Sequence, residues 1–177
     1  MQKQVLVEKS ITWGNLSNDS LVKNDILKKF AIDDCNKFVP SFHNRYNDIK
    51  YTHHKYYNWI MEYIRDHYRK HSFNKLTLEC YDSFLNRDKK YESTYKRNHI
   101  DPYNLQASPE MTVIYILQGD GGELTIEWDN GKHKDNFWKF PIREKQFFIF
   151  NSDIDYYFTK NTEEEDRIYI TYNCQLK

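Results

Sequence analysis

The chain has 177 residues, enough for one domain with a substantial core. Its 26 basic side chains are matched by 26 acidic ones, so it lacks the basic excess of a general nucleic-acid binder, and none is expected as a partner. Aromatic residues make up 17%, including 15 Tyr and 11 Phe, and they fall in strand-like apolar runs, which describes a folded domain rather than a disordered one.

The start, MQKQVLVEKSITW, is too charged and too short in apolar length for a signal peptide, and no run approaches membrane-spanning length. Cys35, Cys80 and Cys174 lie far apart without a C-x-x-C pair, which argues against a disulfide framework and a zinc site. A reducing, cytoplasmic setting is the expectation. The Lys, Asn, Ile and Tyr bias points to an AT-rich viral or bacterial genome, and a phage origin would make the protein virion-associated.

Residues 4–13 alternate loosely as a first strand, and GNLSNDS is a turn. From Leu21 to Phe38, the positions Val22, Ile26, Leu27, Phe30 and Cys35 sit at helical spacing. A loop with His43, His53 and His54 follows. A second helix runs from Lys55 to Arg69, with Tyr56, Ile60, Ile64 and His67 or Tyr68 on one face. The period then shifts to 2. Strands are expected at 75–84, 111–117, 121–128, 136–140, 145–151 and 167–176, with NRDKKYESTYKRN as a polar connection. Helices followed by strands with short connections give an α+β class, a small jelly roll backed by two helices. One domain is expected over 1–177, with the first strand and support helices in 1–74 and the jelly-roll core in 75–177.

His99 and Asp101 form a His-x-Asp pair just before a strand. Alternate residues of an extended segment share a face, so both side chains could reach one point, and two imidazoles with one carboxylate form the facial triad that holds Fe(II). The bland alternative is local: His-x-Asp-Pro is also good turn chemistry.

Further motifs follow in order: TVIYILQ at 112–118, GGEL at 121–124, Pro141, FFIFN at 147–151, and Arg167 opening RIYITYN. With HID at 99–101, this order resembles the Fe(II)/2-oxoglutarate dioxygenases, in particular the prolyl 4-hydroxylase-like branch, over roughly Leu76 to Leu176. The resemblance implies a double-stranded β-helix. It implies iron on His99 and Asp101, and 2-oxoglutarate held by Arg167 with Tyr115 and Leu124 beside it. A guanidinium suits the far carboxylate of that co-substrate because it offers a planar, two-pronged contact.

The second imidazole of the triad is missing. Aligning on Phe150 and Arg167 puts Tyr156 at its position, with Tyr157 next if the loop slips by one, and no His occurs between His133 and Lys177. A phenol has a pKa near ~10 and binds iron poorly until deprotonated. Asp153, Asp155 or His133 would have to replace it. For Arg167 the alternative is an ion pair with the acidic run Glu163 to Asp166. Tyr103, Tyr115 and Trp128 are pocket-lining or core residues.

Two function classes follow. The first is an oxygenase-fold protein with a degenerate metal site: a pseudoenzyme with no cofactor, acting as a structural or interaction subunit with protein partners or as a homo-oligomer. The second is an active Fe(II)/2-oxoglutarate-dependent hydroxylase of a protein side chain with a non-standard third ligand.

Overall fold

The computed structural model describes residues 11–16, 21–38, 49–50, 55–72, 75–129 and 135–177. The expected strand residues 4–10 and the histidines at 43, 53, 54 and 133 lie outside them, as do the side chains of Val22 and Tyr56. The elements run β1 (Ile11–Asn15), α1 (Leu21–Lys37), β2 (Ile49–Lys50), α2 (Lys55–His71), β3 (Leu78–Asp88), β4 (Met111–Gln118), β5 (Glu123–Asp129), β6 (Asp135–Pro141), β7 (Gln146–Asn151), β8 (Asp155–Phe158) and β9 (Arg167–Leu176). Among the described residues no helix is long and apolar enough to cross a membrane.

Two antiparallel sheets form. The larger has the order β1-β7-β4-β9-β3-β2, and the smaller has the order β6-β5-β8. This is the jelly-roll class expected from the strand pattern, and it agrees with the double-stranded β-helix that the resemblance implies. Strand alternation explains the layering. Val113, Tyr115 and Leu117 of β4, and Ile168, Ile170 and Tyr172 of β9, face a cluster with Leu27, Ala31, Ile60, Met61 and Ile64 of the helices. Their neighbours Ile114, Ile116 and Tyr169 face the smaller sheet and pack on Leu124, Ile126, Tyr156 and Phe158. The central strands are therefore apolar on both faces, and this is why MTVIYIL reads as an unbroken hydrophobic run.

The helices match the expected positions, but the face of α1 is shifted. Its buried side is Asn24, Leu27, Ala31 and Cys35, while Phe30 stands out in solvent. A polar residue explains the shift. Asn24 accepts the Tyr115 hydroxyl through Oδ1 and donates to Glu144, which also pairs with Lys28 Nζ at 2.9 Å. A buried phenol needs such a partner, so the helix turns Asn24 inward at the expense of Phe30.

Two elements and one extension were not foreseen. The two-residue β2 lies in the expected loop. Strand β3 continues four residues past Phe84, the last three of them in the expected polar connection. Strand β8 falls in the segment read only as a ligand position.

The QGDGG turn joins β4 to β5, and Gly122 there has φ 83°. A Cβ at this position would lie 2.9 Å from the Lys160 carbonyl oxygen and 3.0 Å from Arg167 Nη1. Gly122→Ala is expected to cost about 1–3 kcal/mol, from left-handed strain plus crowding at Arg167. Urea denaturation checks this, and an unchanged midpoint would refute it.

Candidate functional site

The segment between β3 and β4 runs alongside the free edge of β8. Arg97 and Tyr156 exchange two backbone hydrogen bonds, Arg97 N–H to Tyr156 O at 3.0 Å and Tyr156 N–H to Arg97 O at 2.9 Å. Two residues later His99 donates its backbone N–H to Ser152 O at 3.1 Å. This anchoring brings the His99 ring onto Tyr156. The rings are stacked at 7°, with centroids 5.7 Å apart, and His99 Nε2 is hydrogen-bonded to the Tyr156 hydroxyl at 2.8 Å. Tyr156 is fully buried, with Phe150 edge-on to it and the Arg97 guanidinium 5.5 Å from its centroid. Burial first, and the Arg97 charge second, lower the His99 pKa from 6.5 to about 3. The ring is therefore neutral across the physiological range.

Asp101 does not join them. It is exposed, and its Oδ1 accepts the Tyr103 N–H at 2.9 Å. Its carbonyl accepts from Asn104 N–H at 3.2 Å, and its own N–H donates to Ser108 Oγ at 2.8 Å. The turn chemistry weighed for His-x-Asp-Pro is what this carboxylate performs. Asp155 is held by Asn98 Nδ2 at 2.8 Å and lies 3.8 Å from Lys96 Nζ, while Asp153 is exposed. Tyr157 follows Tyr156 on a strand and so points to the opposite face. Among the described residues, no three His, Cys, Asp or Glu side chains are grouped to hold a metal ion.

Arg167 is fully buried at the start of β9. Its Nε and Nη2 donate to Asp88 Oδ2 at 2.8 and 2.6 Å. Nη1 donates to Gly121 O at 3.2 Å, Nη2 also donates to Thr159 O at 2.9 Å, and the guanidinium lies 4.7 Å over Phe158. The alternative pairing with residues 163–166 is corrected: Asp166 pairs with Arg87, through Nε at 2.6 Å, and the partner of Arg167 is Asp88. Burial pushes the Asp88 carboxyl up, and the Arg167 charge pulls it back.

Tyr115 is corrected in position. It faces the helices, not the space between the sheets, because alternation gives that face to Ile114 and Ile116. Leu124 does lie between the sheets. Tyr103 is 98% exposed, and Trp128 packs at the margin of the inter-sheet cluster.

Asp88, Asn86 and Arg97 were not singled out in the sequence. Arg97 Nη2 donates to Asn86 Oδ1 at 3.1 Å, and Asn86 Nδ2 donates to Thr171 Oγ1 at 3.4 Å. The signal was period 2: Asn86 and Asp88 fall on the face opposite Leu85, and that face points at the smaller sheet.

The residues present do not fit iron and 2-oxoglutarate. The imidazole nitrogen is already bonded to a phenol, the carboxylate is spent in a turn, and the guanidinium is neutralised by an internal carboxylate. A co-substrate carboxylate would have to displace Asp88 and leave a charge buried and unpaired.

Removing one member of the Arg167–Asp88 pair is expected to cost about 3–5 kcal/mol, whereas Asp88→Leu with Arg167→Met should recover much of that loss. A double-mutant cycle in urea measures it, and additive losses would refute the coupling. For His99, the folded pKa lies below the unfolded one. Its contribution to stability is present above pH 6.5 and is lost as pH falls towards about 3. His99→Gln should flatten the fall in stability over that window, and an unchanged pH profile would show that the ring is not buried neutral.

Neither a scan against protein-family models nor a search of curated proteins finds a match. Solved structures do match. A prolyl-4-hydroxylase from Pseudomonas putida superposes with a TM-score of 0.63 at 10% identity, over 94% of this chain and 92% of that one. A viral collagen prolyl hydroxylase from Paramecium Bursaria Chlorella virus-1 gives 0.60 at 16% identity, over 93% and 94%. A prolyl hydroxylase from Trichoplax adhaerens gives 0.63 at 11%, over 93% and 83%. With these superpositions extending over 93–94% of this chain, the chain has the double-stranded β-helix fold of the prolyl 4-hydroxylase-like 2-oxoglutarate oxygenases.

Proposed function

We propose that this protein is a non-catalytic member of the oxygenase fold, one that acts through protein contacts rather than through iron and 2-oxoglutarate. The hydrogen bond between His99 and Tyr156 carries this reading. A neutral phenol is a weak ligand for a divalent ion, and this one is buried and already partnered. The Arg167–Asp88 pair supports the same view, because the cation that would attract a dicarboxylate carries no spare charge.

The interaction role rests on the segment between β3 and β4. It holds Tyr91, Tyr95, Tyr103 and Leu105, each more than 60% exposed. Large apolar side chains gathered on one surface segment suit contact with another protein or a second copy of the chain.

The test is calorimetry with Mn(II) under anaerobic conditions, with and without 2-oxoglutarate. No binding is expected up to millimolar metal. Tyr156→His alone is expected to leave binding weak, because Asp101 is turned away. Tyr156→His combined with Asp88→Ala is expected to admit 2-oxoglutarate at Arg167. Micromolar binding by the unaltered chain, lost in His99→Ala, would overturn the proposal and restore the hydroxylase reading.

A further inference from the structure

Cys80 and Cys174 are 94 positions apart in the sequence and directly opposite each other in the structure, paired across the antiparallel strands β3 and β9. Opposed residues in such a ladder have Cα atoms about 4.5–5.5 Å apart, inside the ~4.4–6.8 Å that a disulfide spans. Both are free thiols here. A β-bulge falls immediately after Cys80, where the register shifts before Asp82, and the Cys80 Sγ lies 3.3 Å from the Asp82 carbonyl oxygen. A bulge loosens the ladder locally, so the two sulfurs can approach without moving a whole strand.

The two thiols sit in different surroundings. Cys174 is fully buried in the cluster beneath the helices. Cys80 is half-buried and lines an open groove of about 300 Å³ with Asn58, Met61, Glu62 and Arg65 of α2. Arg65 Nε donates to the Leu78 carbonyl at 2.8 Å, which fixes its guanidinium over the strand beside Cys80. The hydrogen bond from Cys174 lowers the Cys80 pKa below the ordinary thiol range, against burial, with help from the Asp82 backbone and Arg65. Cys174 is pushed up by the same contact and by burial. Cys35 is the built-in control: it is buried without a thiol partner, and its pKa is raised to about 11.

We propose that Cys80 and Cys174 form a redox-active pair, in which Cys80 is the solvent-facing nucleophile toward small hydroperoxides and Cys174 is the buried resolving thiol. The Cys80 thiolate attacks one peroxide oxygen. An S–O bond forms, the O–O bond breaks, and the leaving alkoxide or hydroxide takes a proton to become an alcohol or water. Cys174 then attacks the sulfenic sulfur. The S–S bond forms, the S–O bond breaks, and the thiol proton leaves with the oxygen as water. Two electrons pass from the dithiol to the peroxide, and a small dithiol restores the pair by exchange. The crosslink would staple the end of β9 to β3 at the groove beneath α2. This inference is independent of whether the oxygenase-like site is active.

The test is titration of the reduced, full-length protein with equimolar hydrogen peroxide, followed by intact mass and peptide mapping. Loss of two hydrogens and a single Cys80–Cys174 linked peptide are expected. In Cys174→Ser, Cys80 should hold a sulfenic acid that dimedone traps. In Cys80→Ser, oxidation should slow by at least about tenfold. Should either variant fold poorly, the unaltered chain still decides the matter, since iodoacetamide should label Cys80 at least about tenfold faster than Cys35. A crosslink through Cys35, a crosslink only between molecules, or equal labelling of Cys80 and Cys35 would overturn the assignment.

Discussion

The buried ion pair between Asp88 and Arg167 closes the last rung of the β3–β9 ladder and extends that rung to two further parts of the chain. Asp88 closes β3 and Arg167 opens β9, and the guanidinium also holds Gly121 of the β4–β5 turn and Thr159 just after β8. One side chain thus links the larger sheet, the smaller sheet and the turn between them. A buried charge tolerates this only when its hydrogen-bonding capacity is used, and four of its bonds are made inside the protein. The left-handed glycine beside it suits the same constraint, because a side chain at residue 122 would crowd the Lys160 carbonyl and the guanidinium.

The same economy shapes the other end of the site. The bridge between Arg97 and Tyr156 lays the loop on β8, and that register decides what the His99 ring meets. It meets a phenol. The two share a hydrogen bond: a neutral ring and a buried hydroxyl within an aromatic surround. In a low-dielectric space a fully partnered polar group rigidifies the structure, whereas an open ligand set would leave polar atoms waiting for an ion. Both halves of the candidate site thus hold parts of the scaffold together. The inter-sheet space between them is filled by Ile114, Ile116, Phe148, Phe150 and Phe158.

Much of the architecture was legible in the chain. Both helices and, β8 apart, the strands from Met111 onward appear within a few residues of where periodicity puts them, because each carries apolar residues at its own local period. The misses share a cause. Strand β3 extends through Asn86 and Asp88, whose polar side chains hid the alternation, although both are buried. Strand β8 was too short to announce itself. Phe30 looked like core by spacing alone, yet the need of the Tyr115 hydroxyl for a partner turned Asn24 inward instead. Buried polar residues are the common element, and composition reads them as surface.

By itself the sequence determined the order of the helices and longer strands, the two-faced apolarity of the central strands and the absence of any His after His133, since these depend on residue type and local period. Tertiary structure alone decided the partners. Asp88 meets Arg167 across 79 residues, Tyr156 meets His99 across 57, and Cys80 faces Cys174 across 94. Such pairings are set by strand register, which sums packing over whole sheets, so no single stretch of the chain carries the information.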